Sequence, residues 1–156
     1  IIGILAAVGV VAYNGYTGAA KVNVTKSLFK IITKKSAEVS VMCTISNTVE
    51  LKNVQYDQTI YDVPCYNKSL MWFFSMDVNN DLYNSGAIYR DPYNNEGVWQ
   101  NGGTNSGYAA QCKTDYRVGK TYSVYPTGTN NVKFCSCFKI PCSDNSNRLE
   151  NTITVR

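Results

Sequence analysis

Residues 1–21, IIGILAAVGVVAYNGYTGAAK, decide how the rest of the chain is read. Ile1, Ile2, Gly3, Ile4, Leu5, Ala6, Ala7, Val8, Gly9, Val10 and Val11 are apolar without a break, and Ala12 and Tyr13 continue the run. A helix needs about twenty apolar residues to span a bilayer, so this run alone is too short. It reads as a buried helix or as the later part of a longer apolar segment. The second reading is preferred, with the expectation that residues preceding Ile1 are missing. From Ala19 the pattern turns amphipathic. Val24, Leu28, Ile32, Ser36, Val39 and Cys43 recur at three- and four-residue spacing and fall on one helical stripe, while Lys21, Lys26, Lys30, Lys34 and Lys35 lie off it. One continuous helix from near Ile1 to about Met42 is expected, roughly 60 Å long. Its first half is apolar all round and its second half on one side only, so it requires two burial sites: a membrane or helical bundle, then its own globular domain.

The chain has 156 residues, enough for one domain with a hydrophobic core and short for two. With 44% apolar and 17% charged residues it lies away from disorder, and a mean hydropathy of -0.22 excludes a polytopic membrane protein. The formal charge of +4 is too mild to indicate nucleic-acid binding by itself. Six cysteines, Cys43, Cys65, Cys112, Cys135, Cys137 and Cys142, occur with no histidine and no CxxC spacing. They point to disulfides and an oxidising compartment rather than to a metal site. Lack of histidine also removes the commonest general base, so no catalytic residue, metal ligand or cofactor is assigned and a non-enzymatic role is expected. The count leaves the connectivity open. Chain proximity favours Cys137 with Cys142, closing the turn at Pro141, then Cys112 with Cys135 and Cys43 with Cys65.

Beyond Cys43 the sequence reads as a long connection wrapping a surface. Ser69–Met76 is the most apolar piece there, and Asn101–Gly107 is a turn cluster. Alternation then predicts strands near Gly107–Cys112, Lys120–Tyr125 and Val132–Ile140, with a last strand at Thr152–Val155 that turns Ile153 and Val155 inward. In the third, Val132, Phe134, Ser136, Phe138 and Ile140 share the face expected to rest on the helix. Lys133, Cys135, Cys137 and Lys139 share the other, where the cysteines would fasten peripheral loops. The fold expected is α+β: a long N-terminal helix (1–43, with 1–18 as its membrane or helical-bundle core part and 19–43 as its amphipathic part) packed on an antiparallel sheet of about four strands in a disulfide-stapled head (44–156).

The opening segment resembles the N-terminal helix of type IV pilins and type II secretion pseudopilins, entered partway along. The matching positions are Ile1, Ile2, Gly3, Ile4, Leu5, Ala6, Ala7, Ala12 and Tyr13. The resemblance covers about the first twenty residues. It implies a processing site and a glutamate ahead of Ile1, and a pilin-like fold. Many members carry proline where Val11 stands, and proline would interrupt the helix; here only glycines are available to soften it.

The resemblance implies a structural subunit of a type IV pilus-like extracellular filament on the bacterial surface. Such a subunit is a helical homo-oligomer held in the inner membrane before assembly and handled by pilus assembly machinery, and it supports adhesion, surface motility or DNA uptake. Gly3, Ala6, Ala7 and Gly9 would let neighbouring helices approach closely. The alternatives are a pseudopilin of a type II secretion system and a membrane-tethered periplasmic adhesin or binding domain that does not polymerise. Lys26, Lys30 and Lys34, at i,i+4 spacing, form a candidate anion-contact stripe for headgroups, acidic neighbours or, weakly, DNA; a solvated face is the plainer reading. Asp77-x-Asn79-x-Asp81 resembles the start of a calcium loop, but Leu82 and Ile88 stand where glycine and the closing glutamate belong. An ordinary polar loop is expected there. Tyr83, Tyr89, Tyr93 and Tyr108 are candidate surface aromatics, and Asn23 and Asn67 begin glycosylation sequons.

Overall fold

The computed structural model describes residues 2–52, 60–65, 78, 79, 82, 90–101 and 108–155, with the side chains of the long helix described from Gly15 onward. That helix, α1 (Ile2–Ile45), is a single α-helix of 44 residues, about 66 Å long. It contains no proline, so no backbone donor is missing along it. It extends three residues past the expected end, and the Ser46 amide still donates to the Met42 carbonyl at 2.9 Å.

The buried stripe of α1 is Thr25, Leu28, Phe29, Ile32, Thr33, Ser36, Val39 and Ser40. Val24, expected on this stripe, is instead exposed at 45%. Four of the eight buried positions carry hydroxyls, which hides the stripe from an apolar count. The Thr25 and Thr33 hydroxyls donate to the carbonyls of Lys21 and Phe29, both at 2.9 Å, so they enter the core already paired.

The segment after Cys43 contains an antiparallel pair, β1 (Thr48–Lys52) and β2 (Ile60–Pro64), where a wrapping connection was expected. Val49, Leu51 and Val63 face the core, while Glu50 and Asp62, directly opposite each other, are exposed. The second sheet has the order β3 (Trp99–Asn101), β4 (Thr121–Val124), β5 (Asn131–Cys137), β6 (Arg148–Thr154). β4, β5 and β6 are antiparallel neighbours, but β3 runs parallel to β4, so the sheet is mixed and the wholly antiparallel expectation is corrected. A parallel pair requires a long crossover. That crossover accounts for a second correction: Tyr108–Gln111, read as strand, forms a short helical turn, α2, between β3 and β4.

One core joins helix and sheets. Leu28, Phe29, Ile32 and Val39 of α1 meet Val49, Leu51 and Val63 of the hairpin and Val132, Phe134 and Ile153 of β5 and β6. Val78, Leu82, Val98, Trp99 and Tyr125 complete it. The Ser123 hydroxyl sits 2.9 Å from both the Trp99 indole nitrogen and the Tyr125 hydroxyl, so the polar tips of two core aromatics are satisfied internally. On β5, Val132, Phe134 and Ser136 are fully buried and Lys133 is exposed. Ile140, expected on the same face, lies beyond the strand and is 56% exposed.

Disulfides join Cys43 to Cys65, Cys112 to Cys135 and Cys137 to Cys142, the pairs that chain proximity favours. Cys43–Cys65 ties the end of α1 to the end of β2. Cys135 and Cys137 occupy the other face of β5, in two small clusters apart from the main core: Cys112, Tyr122 and Cys135 form one, and Val118, Cys137 and Cys142 the other.

Candidate functional site

Among the described residues the candidate feature is the surface of α1. Gly15, Tyr16, Gly18, Ala19 and Ala20 are exposed, and the first fully buried side chain along the described helix is Thr25. At 1.5 Å per residue, Ile2 lies roughly 35 Å up the axis from Thr25. Ile2–Tyr13 of the predicted core run form the opening turns of the helix, and Ile1 lies outside the described residues. Among the described residues no helix is long and apolar enough to cross a membrane.

From Val24 onward the outward side of α1 is not uniformly polar. Val24, Ile31, Val41, Met42 and Ile45 are exposed, the last at 84%. Val24, Ile31 and Ile45 fall on one seven-residue register, with Glu38 completing it; this second periodicity was present in the sequence but masked by the lysines interleaved with it. Glu38 forms an i,i+4 ion pair with Lys34 at 3.6 Å, leaving that part of the face electrically neutral.

The three lysines of the predicted stripe therefore have different surroundings. Lys26 places its ammonium 4.1 Å from the centroid of the Phe138 ring, Lys30 is exposed, and Lys34 is engaged with Glu38. Lys21 lies 5.3 Å from the Tyr93 ring centroid. Five lysines and one glutamate lie between residues 21 and 45, which is the whole formal +4 of the chain; the remaining charges cancel, ten of each sign.

Of the candidate tyrosines, Tyr93 is half-buried and its hydroxyl donates to the Phe138 carbonyl at 2.6 Å. Tyr83 and Tyr89 lie outside the described residues, as do Ser69–Met76, Asp77, Asp81 and Asn67. The side chain of Tyr108 also lies outside the described residues, and among those described the tyrosines displayed outward are Tyr16 and Tyr116. Burial raises the phenol pKa of Tyr93, and that of Tyr122 in spite of the Arg117 guanidinium nearby. Arg117 lies between two rings, 5.0 Å from Tyr116 and 5.3 Å from Tyr122.

The loop after Arg90 is held by Asp91, whose buried carboxylate accepts the amides of Tyr93 at 3.0 Å, Asn94 at 2.6 Å and Glu96 at 3.2 Å. Glu96 pairs in turn with the buried Lys120. Gly119, at φ +90°, passes so close that an added Cβ would stand 2.7 Å from a ring carbon of Tyr93. Asn23 of the first sequon is exposed on α1. Among the described residues no three His, Cys, Asp or Glu side chains are grouped to hold a metal ion.

Compared with protein-family models, with curated proteins and with solved structures, the chain matches none.

Proposed function

We propose that the chain is a structural subunit that assembles with copies of itself through α1, and more narrowly that it is a type IV pilin-like protein building an extracellular filament on a bacterial surface. The observation that carries this reading is the uninterrupted 44-residue helix, which buries one stripe in its own head and leaves a second, partly apolar face outward. A helix confined to a monomer gains nothing from Val41 and Ile45 in water. Between copies, each such side chain buried contributes about 1.5–3 kcal/mol. Ile1–Tyr13 bears no charge, so it packs against sister helices with no ionic desolvation cost, and its small residues allow close backbone approach. Before assembly the same run contacts the inner membrane. The head, closed by three disulfides, suits an oxidising exterior.

The test is electron microscopy of surface-sheared material from cells expressing the full protein, with and without Ala7→Glu. Long fibres containing this chain, lost in the variant while its head keeps its melting temperature, are the expected result. A wild-type protein that stays monodisperse after detergent withdrawal and yields no fibres would overturn it.

A further inference from the structure

Where α1 enters the head, Gly18, Ala19 and Val22 face Tyr93, Lys139 and Ile140 across a mostly apolar groove of about 550 Å³. The described residues do not fill it: among them a Cβ added at Gly15 or Gly18 would meet nothing within 4 Å, and Ile140 is more than half exposed. The groove begins two residues beyond Tyr13, at the end of the uncharged run.

Among the described residues its charges have one sign. Lys139 is part of the wall, the Lys21 ammonium sits 5.3 Å from the ring of the wall residue Tyr93, and Lys26 lies 4.1 Å from Phe138, the residue before Lys139. Among the described residues no carboxylate lines the groove. The acid nearest to Tyr93 in sequence, Asp91, is buried with its oxygens taken by three backbone amides.

An apolar trough with a cationic rim and no acid matches an amphiphile with an anionic head. A free phosphate ion would use the lysines and leave the trough exposed. The Ile1–Tyr13 run of a second copy would fill the trough and leave the lysines unmatched, since it carries no charge. We infer that the groove binds an anionic phospholipid, with an acyl chain along Gly18, Ala19 and Ile140 and the headgroup phosphate between Lys21 and Lys139. Lipid binding here does not depend on polymerisation, so either property can fail without the other.

The experiment is native mass spectrometry of the full chain released from bilayers of phosphatidylglycerol or of phosphatidylcholine, with filament formation scored separately. One phosphatidylglycerol retained per chain, and no phosphatidylcholine, is the expected result. Lys21→Gln with Lys139→Gln lowers retention about 25-fold, near five-fold for each lysine. Gly18→Leu fills the trough without changing charge or endangering an exposed helical position, and it also abolishes retention. Lys30→Gln leaves retention intact. Equal retention of the two lipids, or retention undiminished in Gly18→Leu, overturns the inference. So does full displacement by inorganic phosphate, which marks a free-anion site. Crosslinks from Ile140 to a second copy in lipid-free fibres would assign the groove to subunit contact and overturn it as well.

Discussion

Asp91 shows how much of the head rests on single polar atoms. Its carboxylate is the acceptor for three backbone amides in a loop that precedes β3, and Asp91→Ala strips all three at once. A loss of about 2–4 kcal/mol in urea-unfolding free energy is expected, with Asp91→Asn costing less because one acceptor oxygen remains. Ser36 is the opposite case. It is fully buried on the core stripe of α1, its hydroxyl has no hydrogen-bond partner among the described residues, and alanine is the better helix former. Ser36→Ala is therefore expected to raise stability by about 0.5–1.5 kcal/mol in the same measurement. Tyr93 and Tyr122 bear on alkaline stability. Burial holds both phenols above their ordinary value, so the folded state keeps these protons more tightly than the unfolded chain does. Their contribution is fully present below about pH 10 and is lost as pH rises through the elevated values. Ultraviolet titration should find these two tyrosines ionising late, with melting temperature falling over the same interval; Tyr93→Phe should flatten part of that fall. None of these roles was legible in the sequence, because a residue type does not state whether its polar atom will meet an acceptor, a donor or nothing.

Among the elements, α1 was the most legible and its orientation the least. Its existence follows from a long run free of proline, but the stripe that faces the sheet contains Thr25, Thr33, Ser36 and Ser40, so apolar spacing rotated the predicted face toward Val24. The β1–β2 pair was missed although Val49 and Leu51 alternate with Thr48 and Glu50, because five residues of alternation amid asparagine and tyrosine resemble a connection. The Cys43–Cys65 bridge fastens this pair to the helix and closes a loop with a sequence separation of 22. Replacing both cysteines with serine should lower unfolding free energy by about 3 kcal/mol, checked by urea titration with the other two bridges intact. The parallel placement of β3 had no local signature, since strand direction depends on the path of the chain between strands.

For the whole molecule, the division of charge and apolar surface matters more than any single contact. The head is neutral in sum and the helix carries the full +4, next to an uncharged run and beside exposed Val41, Met42 and Ile45. On the proposed function, a subunit that moves from lipid to a bundle of like helices would use all of that arrangement. Val41→Glu with Ile45→Glu should leave the melting temperature within about 2 °C, as exposed substitutions do. The same pair should sharply reduce fibre yield in sheared fractions. Fibres at wild-type yield would show that this face lies outside the subunit contact.

Sequence alone determined the long helix, its uncharged opening, the number of cysteines and the alternation of β5, because each is a property of neighbouring residues acting through backbone geometry and local spacing. It also placed Cys135 and Cys137 on one strand face opposite Phe134. Only the tertiary structure decided which side of α1 is buried, that β3 runs parallel to β4, and that Tyr93, Lys139 and Ile140 come to lie beside Gly18. Those outcomes depend on contacts between residues far apart in the chain, where the free energy comes from the fit of distant surfaces and no local pattern records it.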